Sequence, residues 1–298
     1  MSPAPYDHLH PDVRHLATAD IVVRKACIQT DRWINYPAAD DALERLFELL
    51  DMPPRLRMPS ILFWASPNMG KTHIQKRFIE LYIARDTGDP PKPLKKLHSY
   101  GAVLWLEVND GLSEKRLYLD MLKAFGTTGG DATASRLQAM VLKHIEARGI
   151  RMIILDELQR VTEQRERDQR AILNVLKYLS NQLQLSIVGF GSGEAKALIK
   201  SDPHLEERFD VVALPAWTTK EKWLVKLVTE RIEYLPLRKP TTVDRALMDA
   251  LFFHSRSLLG RTFNLIERTA IAALEHDEQL SASLVEAVAT RRRRNEDG

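Results

Sequence analysis

The chain has a single cysteine, Cys27, in 298 residues. One thiol makes neither an internal disulfide nor a cysteine-rich zinc site, so a disulfide-stapled secreted scaffold is excluded. No apolar run approaches the ~20 residues that span a bilayer, so no membrane partner is expected. The opening stretch MSPAPYDHLHPDVRHL has no basic segment followed by an apolar one, so it does not read as a signal peptide. These absences predict a soluble, cytoplasmic protein. An excess of one charge is also missing: 43 Lys and Arg stand against 40 Asp and Glu, a formal +3 that is too small to announce nucleic-acid binding by bulk charge. There is no internal repeat and no low-complexity tract. What is there is 44% apolar and 28% charged, a globular composition with enough chain for one or two domains.

Hydrophobic patterning sets out the order of elements. Leu43, Leu46, Phe47 and Leu50 recur at helical spacing after Asp40, which is placed to cap that helix, and Pro53, Pro54 and Pro59 stop it. Ile61-Leu62-Phe63-Trp64 is a short, fully apolar run, as a buried parallel strand requires. A helix follows from about Lys71 to Ala84, and Pro90, Pro91 and Pro93 mark a surface loop. Further strands are read at Ala102–Val108, Met152–Leu155 and Leu185–Phe190, with helices near Glu114–Phe125, Ala134–Ala147 and Asp168–Leu183 between them. Strands alternating with helices predict a parallel, αβα-layered sheet. Past Trp217 the pattern is helical: Lys220–Tyr234, Val243–His254, Thr262–Glu275 and Ala282–Arg291.

Between the first strand and its helix lies Ala65-Ser66-Pro67-Asn68-Met69-Gly70-Lys71-Thr72, followed by His73. It fits the phosphate loop G-x-x-x-x-G-K-[ST] except at Ala65. Backbone N–H groups at a helix N-terminus suit phosphate oxygens, Lys71 reaches the β- and γ-phosphates, and the Thr72 hydroxyl suits Mg²⁺. The third strand ends in Asp156-Glu157. There Asp156 is the second candidate for Mg²⁺, and Glu157 the group that orients and polarises an attacking water. Ser192, in the Gly-rich end of the fourth strand, is a candidate for touching the γ-phosphate; the other reading of that stretch is a plain glycine turn. Arg208 follows Asp202-Pro203-His204-Leu205 and is a candidate arginine finger for a neighbouring subunit, or else a surface ion-pair partner of Glu206 or Asp202. Arg261, at the start of a helix, is placed to sense nucleotide in cis. The final Arg291–Arg294 run reads either as a solvated end or as a basic arm.

With these residues in hand, the chain resembles the AAA+ ATPases and, more narrowly, the TniB/TnsC family of transposition ATPases. Leu9-His10-Pro11 and Arg32-Trp33-Ile34-Asn35-Tyr36-Pro37 are similar to that family's H-P and R-W-I-x-Y-P signatures. Met58-Pro59, Asn68–Thr72, Arg151–Glu157, Asp202–Leu205 with Arg208-Phe209, and Leu214-Pro215-Ala216-Trp217 match in the same order. The resemblance implies an AAA+ P-loop fold: a helical extension over 1–55 that contributes to an adenine pocket, an α/β nucleotide-binding domain over 56–216, a small helical lid over 217–290 and a basic tail over 291–298. It implies a bacterial protein that binds ATP and Mg²⁺ and assembles as a ring or helical filament on double-stranded DNA. It further implies recruitment of a DDE transposase (TniA/TnsB-like), often with a TniQ-like targeting protein, and disassembly on hydrolysis. By the same resemblance Arg32, Trp33 and Tyr36 lie near the adenine, and Lys115 and Arg116 face DNA, with Thr127 and Thr128 adding hydroxyls.

The chain departs from the family at Ala65, at Gln159 (where a His is usual), and at Gly189-Phe190-Gly191-Ser192 (where Val-Gly-Thr is usual). Two other functions are compatible with the same residues: a helicase-loader or replication-initiator ATPase, and a nucleotide-gated scaffold with negligible turnover.

Overall fold

Five short strands carry the architecture, and each is apolar over most of its length. In this computed structural model residues 6–214 and 222–296 are described, with side chains as far as Arg291. The elements run α1 (Pro11–Arg14), α2 (Ile21–Ile28), α3 (Pro37–Asp51), β1 (Ser60–Trp64), α4 (Lys71–Thr87), β2 (Val103–Glu107), α5 (Glu114–Ala124), α6 (Ala134–Arg148) and β3 (Met152–Asp156). They continue with α7 (Glu166–Leu183), β4 (Ser186–Gly191), α8 (Gly193–Lys200), α9 (Pro203–Glu206), β5 (Phe209–Ala213), α10 (Lys222–Glu233), α11 (Arg245–Ser255), α12 (Leu259–Ala273) and α13 (Ala282–Glu296). A 3₁₀ turn spans Leu158–Glu163. Among the described residues no helix is long and apolar enough to cross a membrane.

The strands pair in the order β2-β3-β4-β1-β5, every neighbour parallel. All five residues of β3 and all six of β4 are buried. That is why these strands read as continuous apolar runs, since both faces of a parallel sheet are covered. β3 lies two strands from β1, with β4 inserted between them. β5 was not anticipated: Asp210 interrupts its apolar residues, and it is an edge strand held only by β1.

Two units pack separately. One comprises residues 38–67 and 71–215, and the other residues 1–37, 68–70 and 216–298. Helix α3 thus belongs with the sheet from Ala38 onward, and the tip of the phosphate loop belongs with the C-terminal helices. In the sheet unit, Leu104, Ile153, Leu155 and Ile187 meet Tyr118, Met121, Leu137 and Val141 of the covering helices. Each fully buried side chain of this size stabilises by about 1.5–3 kcal/mol. Ser113 and Thr133 cap α5 and α6 by accepting the Arg116 and Arg136 N–H groups. Asp40 does not cap α3: Pro37 opens the helix, so Asp40 falls in its first turn, where a carboxylate still complements the dipole.

In the helical unit, Leu9, Val13, Ala17 and Cys27 form a small core against Tyr234. The His10 ring stacks on Tyr234 at 4.1 Å and its Nε2 hydrogen-bonds the tyrosine hydroxyl at 2.9 Å, so the His-Pro signature is a packing element. Arg24, 3% exposed, donates from Nε to the Pro236 carbonyl at 2.9 Å and pairs with Glu278. A buried cation needs such partners, because stripping one leaves the charge uncompensated.

Candidate active site

The strand order brings the C-terminal ends of β1, β4 and β3 to one edge of the sheet, where open α/β sheets bind ligands. Trp64 pairs with Gly191, and Leu155 with Gly189. The phosphate loop begins there, with the Ala65 N–H donating to the Gly191 carbonyl at 3.0 Å. Asn68 (φ 63°) and Gly70 (φ 79°) take the left-handed conformation and Ala65 does not. The position at which the motif asks for glycine therefore accepts a methyl group without backbone strain.

Lys71 is 8% exposed, and its ammonium donates to the carbonyls of Ala65 (3.1 Å) and Ser66 (3.2 Å). Burial lowers its pKa, and the charges of Glu157 and Asp156 oppose that shift. At the next residue, the Thr72 hydroxyl donates to Asp156 Oδ2 at 3.2 Å. Asp156 is 4% exposed, and burial raises its pKa. Its hydrogen-bond partners are neutral: the Thr72 hydroxyl and the Glu157 N–H. A desolvated carboxylate with only neutral hydrogen-bond partners suits a cation. Among the described residues no group of three His, Cys, Asp or Glu could hold a metal alone. One hydroxyl and one carboxylate fit Mg²⁺, which keeps waters and takes phosphate oxygens.

Glu157 sits in the left-handed region (φ 56°, ψ 38°), a costly conformation for a residue with a Cβ and one that clusters at functional positions. Gln159 holds its carboxylate: the Gln159 amide nitrogen donates to Glu157 Oε2, while its Oε1 accepts the Ser192 N–H at 3.2 Å. This bridge ties the end of β3 to the end of β4. It also explains the glycine at 191, where a Cβ would stand 3.0 Å from Gln159 Oε1 and 2.5 Å from Ala195 Cβ. Sequence reading noted Gln159 only as a departure. The Ser192 hydroxyl donates to Glu194, so its side chain is engaged locally.

Within the helical unit, the loop tip meets a different set of groups. A Cβ at Gly70 would lie 2.9 Å from Leu259 Cδ2 and 3.2 Å from the Tyr36 hydroxyl, so both φ and space demand glycine. The Gly260 N–H donates to the Asn68 carbonyl at 2.8 Å, with the exposed Arg261 next in the first turn of α12. Tyr36 lies 6.3 Å from Trp33 and stacks at 6.0 Å on Trp223, an aromatic that sequence reading missed. Arg32 does not join this group: its guanidinium lies over Tyr234 at 4.9 Å and donates to Cys27 Sγ at 3.5 Å.

The remaining candidates are placed as follows. Ser66, Pro67, Asn68 and His73 are exposed, and Met69 is buried. Lys115 and Arg116 lie in the first turn of α5, where Arg116 pairs with Asp120 at 3.1 Å. Thr127 and Thr128 follow the other end of that helix, about 16 Å away at 1.5 Å per residue, so the two pairs do not converge. The Thr127 hydroxyl is within 3.3 Å of His144 Nε2. Arg208 precedes β5, and neither Glu206 nor Asp202 pairs with it, since Asp202 binds Lys177 at 2.7 Å. Pro215, Ala216 and Trp217, and the side chains of Arg292–Arg294, lie outside the described residues.

Solved structures share this fold. The DNA complex of Orc1 from Aeropyrum pernix superposes with a TM-score of 0.60 at 15% identity, covering 90% of this chain and 69% of that one. The DNA-bound Drosophila origin recognition complex gives 0.61 at 15% identity, covering 97% and 70%. AMPPCP-bound DnaA from Aquifex aeolicus gives 0.50 at 16% identity, covering 83% and 67%. At these identities the likeness speaks for the fold, that of the AAA+ P-loop proteins. No curated protein matches by sequence. Residues 24–219 match the family described as bacterial TniB protein. That span holds the phosphate loop, the Asp156-Glu157 strand end, Gln159 and Arg208, and the chain belongs to the TniB family.

Proposed function

We propose that the chain is an ATPase that assembles on double-stranded DNA in the ATP state and links target selection to a DDE transposase, with hydrolysis ending or remodelling the assembly. The observation that carries the ATPase reading is the Thr72–Asp156 hydrogen bond of 3.2 Å beside a buried Lys71, at the strand-end edge that also bears Glu157. Lys71 neutralises the terminal phosphates, and Thr72 with Asp156 holds Mg²⁺. The metal adds charge neutralisation at the phosphates. Glu157 orients the attacking water and takes its proton. The base is assigned to the aromatic group of Trp33, Tyr36 and Trp223, whose unit also contains the loop tip. Ser192 and Arg261 are kept as γ-phosphate contacts and Arg208 as the finger toward a neighbour.

Membership of the TniB family supports the finer reading, including a transposase and a TniQ-like protein as partners. Lys115 and Arg116 are assigned to DNA phosphates, and contacts of that kind are salt-sensitive and nearly blind to sequence. With the Ala65 backbone unstrained, the altered phosphate loop no longer favours a scaffold that lacks turnover.

The test is calorimetry with ATP and Mg²⁺, followed by sedimentation with duplex DNA. ATP binding with nucleotide-dependent co-sedimentation is the expected result. Absence of heat with and without duplex removes the reading.

Gln159 enters this scheme as a positioning residue. Gln159→Leu frees the Glu157 carboxylate and lowers kcat about 10- to 100-fold, the scale of a misplaced reacting group, while KM for ATP stays within about twofold. Unchanged kcat would leave Gln159 as packing only.

A further inference from the structure

Gln75 is 0% exposed, the most deeply buried polar side chain of α4. It lies three residues beyond Thr72, so the two side chains fall on one face of the helix. Its amide is only half used. Oε1 accepts the Trp105 indole N–H at 2.7 Å, while Nε2 is buried with no hydrogen-bond partner. The amide cannot turn over to exchange its two ends, because an indole nitrogen donates and never accepts. Trp105 therefore fixes the direction in which the free amide nitrogen points. A buried donor left unpaired is costly, and each such group calls for an explanation.

The sheet decides what that donor faces. β2 and β3 are parallel, with Trp105 opposite Ile154 and Glu107 opposite Asp156. Leu104, Leu106, Ile153 and Leu155 enter the core that also holds Tyr118 and Val141 of α5 and α6. Side chains alternate along a strand, so Trp105, Ile154 and Asp156 point to the opposite face. That face is covered by α4, because Thr72 reaches Asp156 Oδ2 and Gln75 reaches Trp105. The Gln75 amide also holds the Asp156 carboxyl down against the burial that raises it, as a donor on the carboxylate side does. Trp105 is itself clamped. Its N–H donates to Ser99 Oγ at 2.9 Å, and the Ser99 hydroxyl donates to its carbonyl at 3.3 Å. β2 is an end strand, so Ser99 satisfies backbone groups that no neighbouring strand meets.

We propose that Gln75 is a positioning residue for the metal site: with its oxygen held by Trp105, its amide nitrogen donates to Asp156 when Mg²⁺ is bound and keeps the carboxylate turned toward the metal. The proposal rests on the nucleotide reading above and deepens it, adding the outer support of a metal ligand. A ligand carboxylate that is free to turn binds its metal less tightly, and losing such a supporting partner costs about 10- to 100-fold in metal affinity.

The experiment compares the full chain as wild type, Gln75→Met and Trp105→Phe. Methionine keeps an unbranched side chain of similar length and removes the amide. Phenylalanine keeps an aromatic ring and removes the indole N–H. Calorimetry measures the Kd of the non-hydrolysable analogue AMPPNP twice, once with Mg²⁺ and once with EDTA, and thermal unfolding without nucleotide checks the fold. For Gln75→Met the Mg²⁺ complex should bind about 10- to 100-fold more weakly, while the metal-free analogue stays within about twofold of wild type. Trp105→Phe should split the two in the same direction by a smaller factor, because Gln75 is present but no longer held. Wild-type affinity of Gln75→Met for the Mg²⁺ complex overturns the proposal. So does an equal loss of both forms of the analogue, the mark of a displaced phosphate loop. If Gln75→Met does not fold, Trp105→Phe decides by the same split, and absence of a split overturns the proposal. If Mg²⁺ brings no tightening in wild type, the assignment of the metal to Thr72 and Asp156 has itself failed. Failure of the Gln75 role alone leaves that tightening intact in wild type and in both variants.

Discussion

Glu157→Gln should lower ATP turnover by about 10²–10⁴-fold, the usual contribution of a general base, and leave nucleotide binding in place. The substitution is nearly isosteric and keeps the left-handed turn at the end of β3. Its neighbours Lys71, Thr72 and Asp156, which hold the phosphates and the metal in this scheme, are unaltered. What is removed is the ability to accept a proton from water. The new amide also meets the Gln159 amide nitrogen, which now donates to a carboxylate oxygen. A neutral acceptor weakens that hydrogen bond, because charge-assisted bonds are roughly twice as strong. With binding kept and chemistry blocked, assemblies on duplex DNA formed with ATP should persist rather than decay. Turnover measured by phosphate release and assembly followed by sedimentation check the two halves. Wild-type turnover would take the water-activating role away from Glu157.

Lys71→Ala should act one step earlier. The ammonium is buried, held by two loop carbonyls, and faces the charges of Asp156 and Glu157. In the proposed scheme it exchanges the carbonyls for phosphate oxygens. Losing a charged hydrogen bond to phosphate costs about 2–3 kcal/mol, or roughly 30- to 150-fold in Kd for ATP. The variant also leaves two carboxylates at the site without their nearest cation, so repulsion of the polyanion compounds the loss. Thermal unfolding reads this directly. At ATP about 100-fold above the wild-type Kd, ligand binding stabilises wild type by about 2.7 kcal/mol, and the variant should gain well under half of that. Assembly on DNA should be lost with it. Equal stabilisation by ATP would mean that Lys71 does not hold phosphate.

The legible parts of this chain are those whose physics is local. An apolar run of four, a turn-prone stretch and Gly-Lys-Thr at a helix start announce β1, the phosphate loop and α4 without reference to anything distant. Asp156-Glu157 at the end of an apolar run is legible for the same reason, as are α5 and α6 from their local patterning. β5 was missed because its identity as a strand comes from pairing with β1, which neighbours in sequence do not encode. The Asp40 cap was misplaced by four residues because Pro37 can open a helix without a capping side chain.

From the sequence alone come the parallel-sheet class, the loop that suits phosphate, and the acid pair that suits metal and water, since each depends on residues a few positions apart. Only the tertiary structure decided how these groups meet. Strand order placed β4 between β1 and β3, so that Gln159 could bridge Glu157 to Ser192. Packing of the helical unit set Trp223 against Tyr36 and turned Arg32 toward Tyr234. The parallel run of β2 beside β3 set Trp105 and Asp156 on the face that Gln75 covers. Those groupings join residues that lie far apart along the chain. They exist because burying apolar strands and satisfying backbone hydrogen bonds selects one sheet order, and that order carries the charged side chains with it.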